Sequence, residues 1–199
     1  IVRTVMPEKK FKNLLLVNAD INDGDMVLDF GVGTATLSIM AYSRNNNADF
    51  TGVDIDDNIL KIAKRKIEAE NAKINLIKYD GDKLPFSNEC FDKIISSLVL
   101  HHLTTDEKVE VFKEFKRVLK EDGEIHIADW GKASNKLMRL MFNVVQILDG
   151  YKTTNDNVQG KLMQIMKEAG FKKVEITDQI NTALGTVEIF MIKQIDDNK

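Results

Sequence analysis

One stretch limits the possible folds more than any other: Val27-Leu28-Asp29-Phe30-Gly31-Val32-Gly33-Thr34-Ala35. Met26 to Phe30 reads as a short buried strand, and Ala35 to Arg44 carries a helical pattern. Between them is a tight turn. Gly31 and Gly33 remove the side chains that would keep a ligand away from the main chain. The helix that follows presents unpaired N–H groups at its start. Alternation of strand and helix continues from about residue 7 to 170. It predicts an α/β fold: a doubly wound, Rossmann-like sheet, mostly parallel, with helices on both faces.

Pro7 opens a first helix with Phe11, Leu14 and Leu15 at helical spacing. Phe50 to Asp54 reads as a second strand. Asp56 or Asp57 caps the next helix, whose apolar residues are Ile59, Ile62, Ala63 and Ile67. Ile74–Tyr79 and Lys93–Ser97 read as strands three and four. Thr104-Thr105-Asp106-Glu107 fits a capping box. The spacing predicts a helix from there through Leu119, ended by Gly123. Glu124 to Asp129 is a fifth strand. Leu137 to Leu148 is apolar on two sides, so it is expected to be buried on two sides. Lys152 to Asn157 reads as a polar connection, and Val158 to Ala169 as another helix. Two strands near the end, around Val174 and from Val187 to Ile192, have no helix between them. They predict an antiparallel pair at the sheet edge.

The chain has 199 residues, with 28 basic and 31 acidic side chains and a net charge of −3. One domain of ordinary size is expected over 1–199. Its cofactor half would cover about 7–130, and an acceptor-side helix with edge strands about 131–195. The charge balance gives no general attraction for nucleic acid. No apolar run reaches the ~18 residues that a membrane span needs. The single cysteine, Cys90, excludes an internal disulfide, and three histidines give no zinc spacing. No metal site is expected, and a reducing, cytoplasmic setting is. The chain begins at Ile1, which leaves room for residues upstream.

Two acids sharpen the reading. Asp54 ends the second strand, 21 positions after Gly33, where a doubly wound fold hydrogen-bonds a ribose diol. Asp29 stands just before the glycine turn. A dinucleotide pyrophosphate wants positive potential there. An acid suits a ligand with a cationic amine, such as S-adenosylmethionine.

In these segments the sequence resembles the class I S-adenosylmethionine-dependent methyltransferases, small-molecule branch, and within it the quinone-ring C-methyltransferases. Leu28 to Thr34 resembles the first motif and Gly52-Val53-Asp54-Ile55 the second. Tyr79 to Phe86, followed by Phe91-Asp92, resembles the adenine-contacting region. Ser96 to Leu103 resembles the segment after the fourth strand, and Phe115 to Gly123 the approach to the fifth. The resemblance implies S-adenosylmethionine as methyl donor, S-adenosylhomocysteine as product, and a small-molecule acceptor. It implies a cofactor site at Asp29, Gly31, Gly33, Thr34, Asp54, Ile55, Asp80, Gly81, Asp82 and Ser97. Asp80 would accept from the adenine amino group. Two positions depart from the pattern: Ala35 replaces a third glycine, and Asp122-Gly123 replaces a Gly-Gly pair. The family usually has more chain before the first helix.

Methyl transfer needs alignment and a dry site more than it needs catalytic groups. An acceptor that loses a proton also needs a base. If the segment after Ser97 is helical, Ser97 and His101 share a face, which nominates His101 as catalytic and turns His102 elsewhere. The alternative is that both histidines only cap and pack a helix start. His126 reads as structural, and Trp130 either stacks on an acceptor or closes the core. Met138, Phe142 or Val145 lines an apolar acceptor pocket, unless that helix is a homodimer contact or plain core. Two other function classes fit less well. A nicotinamide-dependent oxidoreductase would want Gly or Ala at position 36 and gives no reason for Asp29. A binding module that holds S-adenosylmethionine without catalysis would lack an open acceptor pocket.

Overall fold

In a computed structural model, the structure describes residues 7–132, 151–182 and 185–194. The two-sided apolar segment 137–148 lies outside the described residues. Helix α1 (Glu8–Ala19) starts directly after Pro7. The chain then runs β1 (Met26–Phe30), α2 (Thr36–Arg44), β2 (Asp49–Asp54), α3 (Asp57–Ala69), β3 (Ile74–Lys78) and β4 (Phe91–Ser97). A 3₁₀ turn (Leu100–His102), α4 (Thr105–Val118) and β5 (Leu119–Trp130) follow. The described part ends with α5 (Tyr151–Val158), α6 (Leu162–Glu168), β6 (Lys173–Asn181) and β7 (Thr186–Lys193).

The strands form one sheet in the order β3-β2-β1-β4-β5-β7-β6. β1 to β5 are parallel, and β7 runs antiparallel between β5 and β6. The doubly wound expectation and its antiparallel last strand are therefore met. Strand order reverses between β1 and β4. That leaves a crevice beyond their carboxyl ends, where ligands of such sheets bind.

The core follows from the sequence pattern. Phe11, Leu15, Leu16 and Ala19 of α1 pack with Leu37 and Ala41 of α2 against Val27, Phe50, Ile95 and Ala128. Ala63 and Ile67 of α3 close the β2–β3 end of the same face. Phe112, Phe115 and Val118 of α4, with Leu162, Ile165 and Met166 of α6, cover the opposite face. Phe112 and Phe115 are fully buried, and each such side chain stabilises the fold by ~1.5–3 kcal/mol. Trp130 is 3% exposed within the α1 face, so it closes the core rather than stacking on an acceptor.

Four expectations are corrected. Ile62 is 47% exposed, and the inward row of α3 is Ala63 and Ile67. Helix α4 stops at Val118, because Leu119 already pairs with Phe91 in the sheet; the register then jumps to Lys93 beside Glu124. The polar stretch 152–157 is helical, not a connection. The helix expected from Val158 to Ala169 starts only at Leu162, after a break at residues 159–161.

Candidate active site

A cavity of about 1030 Å³ opens at the strand reversal. Ligand pockets commonly span about 300–1,000 Å³, so this one has room for a cofactor and a second small molecule.

Its floor is the glycine turn. Gly31 (φ 68) and Gly33 (φ 53) both adopt left-handed backbone. A Cβ on Gly31 would come within 2.4 Å of Val99 Cγ2, so the turn and the post-β4 segment meet only across a bare α-carbon. A Cβ on Gly33 would meet nothing closer than 3.9 Å, which leaves an open cradle above it. Asp54 fixes the turn: its Oδ2 accepts from Gly33 N at 2.9 Å, and its Oδ1 accepts from Asp56 N at 3.1 Å. Asp56 caps α3 by accepting from Asn58 N and Ile59 N, which leaves Asp54 for the cavity. Ala35 takes a left-handed φ of 58 at the α2 N-cap, a conformation that costs an ordinary residue ~1–2 kcal/mol.

Most of the expected cofactor residues line the cavity: Gly31, Gly33, Thr34, Asp54, Ile55, Gly81, Asp82 and Ser97. Gly81 (φ 100) has open space where a side chain would stand. Ser97 Oγ is buried without a hydrogen-bond partner, facing a cavity that could supply one.

Asp29 and Asp80 stay outside the lining. Asp29 is 2% exposed and accepts from Ser38 Oγ at 2.5 Å, behind the turn rather than above it. Burial pushes its carboxyl up to about 6, against the Ser38 bond and the charge of Lys12. Asp80 is exposed, and its Oδ1 accepts from Asp82 N at 3.2 Å.

The two histidines exchange places relative to expectation. Leu98 takes a left-handed φ of 59, so no helix runs on from Ser97. His102 lines the cavity, and His101 does not. His101 is 4% exposed, with Nδ1 2.8 Å from Asp129 Oδ1. A carboxylate only accepts, so Nδ1 donates. The His101 ring packs on His102 with centroids 4.0 Å apart. Asp129 also accepts from Val99 N, Leu100 N and Trp130 N. Burial pushes the Asp129 carboxyl up, but His101 and these backbone donors outweigh it and hold the carboxyl below its usual range.

Sequence reasoning missed two features. Glu8 and Lys12 of α1 line the cavity, with Lys12 Nζ 2.6 Å from Glu8 Oε1. Their i,i+4 spacing was the available signal. Asp106, Glu107, Glu110 and Glu114 of α4 line it too, at helical spacing. Among the described residues, the lining carries seven carboxylates, including Glu8, Asp54 and Asp82, against two lysines, Lys12 and Lys83. A pyrophosphate would meet repulsion here, so the nicotinamide alternative loses its main anchor.

Among the described residues no cluster could hold a metal ion, and no helix is long and apolar enough to cross a membrane.

Residues 27–123 match a protein-family model described as a methyltransferase domain. The demethylmenaquinone methyltransferase of Lactobacillus johnsonii is 29% identical over 207 residues, covering 94% of this chain and 82% of that protein. The ubiquinone/menaquinone biosynthesis C-methyltransferase UbiE of Shewanella pealeana is 24% identical over 192 residues, covering 85% of this chain and 75% of that protein. The crystal structure of the YcgJ protein from Bacillus subtilis superposes with a TM-score of 0.76 at 14% identity, covering 94% of this chain and all of that one. That last likeness speaks for the fold.

Proposed function

We propose that this chain, which belongs to the class I S-adenosylmethionine-dependent methyltransferases, methylates a small, partly apolar ring acceptor held above the glycine turn. S-adenosylmethionine supplies an activated methyl group and leaves as S-adenosylhomocysteine. The acceptor class is carried over from the quinone-directed relatives, and the cavity's size leaves space for it. Apolar walls from Phe30, Val53, Leu98, Val99, Leu103 and Val111 suit such a ring and keep water out.

The observation that carries the site assignment is Asp54. Among the described residues it is the one acid tied to the glycine turn by a hydrogen bond and open to the cavity. We assign it the ribose diol, with Gly31, Gly33 and Thr34 below the sugar. Ile55, Gly81 and Asp82 border the base, and the orphaned Ser97 hydroxyl reaches toward the sulfur end. Asp29 acts from behind, fixing the turn through Ser38. Where the acceptor must lose a proton, His102 is the imidazole that faces it, and the Asp129–His101 pair props that ring. The single thiol, Cys90, fits a reducing, cytoplasmic setting.

Calorimetry and turnover test this reading. Asp54→Ala should weaken S-adenosylhomocysteine binding by ~1–3 kcal/mol, the worth of a charge-assisted hydrogen bond. Unchanged affinity removes Asp54 from the site. Release of S-adenosylhomocysteine, measured against quinone-like rings, phenols and amines, reads the acceptor class. No turnover with any of them, despite tight cofactor binding, would favour a non-catalytic binding module.

A further inference from the structure

The wall behind His102 is polar, although it is buried and does not line the cavity. Asp129 is its centre. Its Oδ2 accepts from Val99 N at 3.1 Å and Leu100 N at 2.7 Å, and its Oδ1 from His101 Nδ1 at 2.8 Å. Helix α5 reaches the same carboxylate. Asn157 Nδ2 donates to Trp130 O at 3.0 Å and stands 3.3 Å from Asp129 Oδ1. Asn157 Oδ1 is buried with no hydrogen-bond partner, a cost that only the donating end of the amide offsets. Among the described residues of α5, Val158 alone joins an apolar core cluster, so polar contacts decide how this helix sits.

Helix α4 holds the other side of α5. Asp106, Glu107 and Glu110 turn to the cavity, and Lys108 turns away from it. The Lys108 side chain is fully buried, although lysine is rarely buried without a reason. Its Nζ donates to Thr153 O at 2.7 Å and stands 3.6 Å from Asp156 Oδ2, which also accepts from Thr105 Oγ1 at 2.5 Å. Burial pulls the Lys108 ammonium below the usual lysine range, against the charges of Asp156 and Asp129. A buried ion pair is seldom more stabilising than apolar side chains of its size, so what this pair supplies is direction. The contacts close a ring. Lys108 and Asp156 join α4 to α5, Asn157 joins α5 to β5, and Asp129 with His101 joins β5 to the 3₁₀ turn, which runs back into α4. His102 rides on that turn with its ring against His101, centroids 4.0 Å apart. We propose that Lys108 is a positioning residue: by holding α5 in the ring, it sets where the His102 imidazole stands in the cavity. The proposal rests on the reading of His102 as the group that takes the acceptor's proton.

Imidazole NMR signals of the full chain test this without an acceptor. The chain has three histidines, and the signal lost in His102→Gln is that of His102. His126 is the internal control: it is fully buried in β5 and alternates with Ile125 and Ile127, so it faces the other side of the sheet. In Lys108→Met the His102 signal should shift or broaden while that of His126 stays in place. Lys108→Arg should bring the His102 signal back toward its wild-type position. Asp156→Asn should move it as Lys108→Met does, and it serves if that variant does not fold. With the acceptor found by turnover, Lys108→Met should lower kcat at least tenfold, change KM less than threefold and leave S-adenosylhomocysteine affinity within twofold. An unmoved His102 signal, an unchanged kcat, or His102 and His126 signals that move together overturn the positioning role alone. Full turnover in His102→Gln overturns the reading of His102 as proton acceptor, and the proposal with it.

Discussion

Asp29 shows how far a residue's chemistry can be read before its direction is known. Its position beside the turn was legible, but its task was not. Successive strand residues face opposite sides, and here Phe30 meets the α4 face while Asp29 turns under α2 to Ser38. Buried there, its carboxyl titrates near 6 rather than 3.8. Between about pH 4 and 6 the folded state then binds more protons than the unfolded state, so stability falls as pH rises through that window. A shift of about two pH units corresponds to ~3 kcal/mol at most. Asp29→Asn removes this titration. Relative to wild type, the variant should gain up to ~3 kcal/mol of unfolding free energy between pH 4 and pH 7, read from urea melts at both. A constant difference across that range would mean that Asp29 is not held protonated by burial. Gly31, Gly33 and Asp54 were legible because each does what a turn or strand tip requires of its residue type. His101 and His102 were not: one left-handed residue, Leu98, changes the phase of everything after it.

At the scale of elements, α4 does two jobs. Its capping box, with Thr104 and Glu107 bonded reciprocally, was readable from sequence and sets the start of the acid row. Its end secures the loop that follows Gly81 and Asp82 at the cavity edge, where we place the adenine. Arg117 donates to Leu84 O and Phe86 O, while Glu114 accepts from Leu84 N. Arg117→Ala should leave those carbonyls to water, speed amide exchange across residues 82–88, and weaken S-adenosylhomocysteine roughly three- to tenfold. The affinity loss is that of about one hydrogen bond. Exchange that stays as slow as in wild type would show that the loop holds itself. The elements misjudged from sequence share a cause. Helix α5 buries polar side chains: Thr154 and Asn157 are fully buried and Asp156 nearly so. Asn157 donates to Trp130 O, and Thr105 Oγ1 donates to Asp156. Hydrogen bonds to distant elements hold this helix, and no apolar periodicity announces it. Likewise α4 ends at Val118 because Leu119 finds Phe91 across the sheet, a partner 28 positions earlier in the chain.

For the whole molecule, net charge gave the sign of the electrostatics but not their location. A surplus of three acids over 199 residues is slight. Among the described residues, folding gathers seven carboxylates and two lysines around one cavity, because the α4 row, the strand tips and the start of α1 converge there. Apolar walls keep part of that field unscreened. The methyl donor carries one positive charge more than its product, since the sulfonium becomes a neutral thioether. The cavity should therefore prefer S-adenosylmethionine to S-adenosylhomocysteine at low salt, and the preference should shrink as salt rises. Screening length falls from about 30 Å at 0.01 M to about 10 Å at 0.1 M, while a unit charge pair at 4 Å in water is worth ~1 kcal/mol. The affinity ratio of donor to product should thus drop roughly two- to fivefold over that interval, measured by calorimetry with both ligands. Product affinity alone should change little. A ratio that stays flat would mean that the carboxylates of α4 are neutralised or turned away from the sulfur, and the acid row would then have no part in favouring donor entry over product retention.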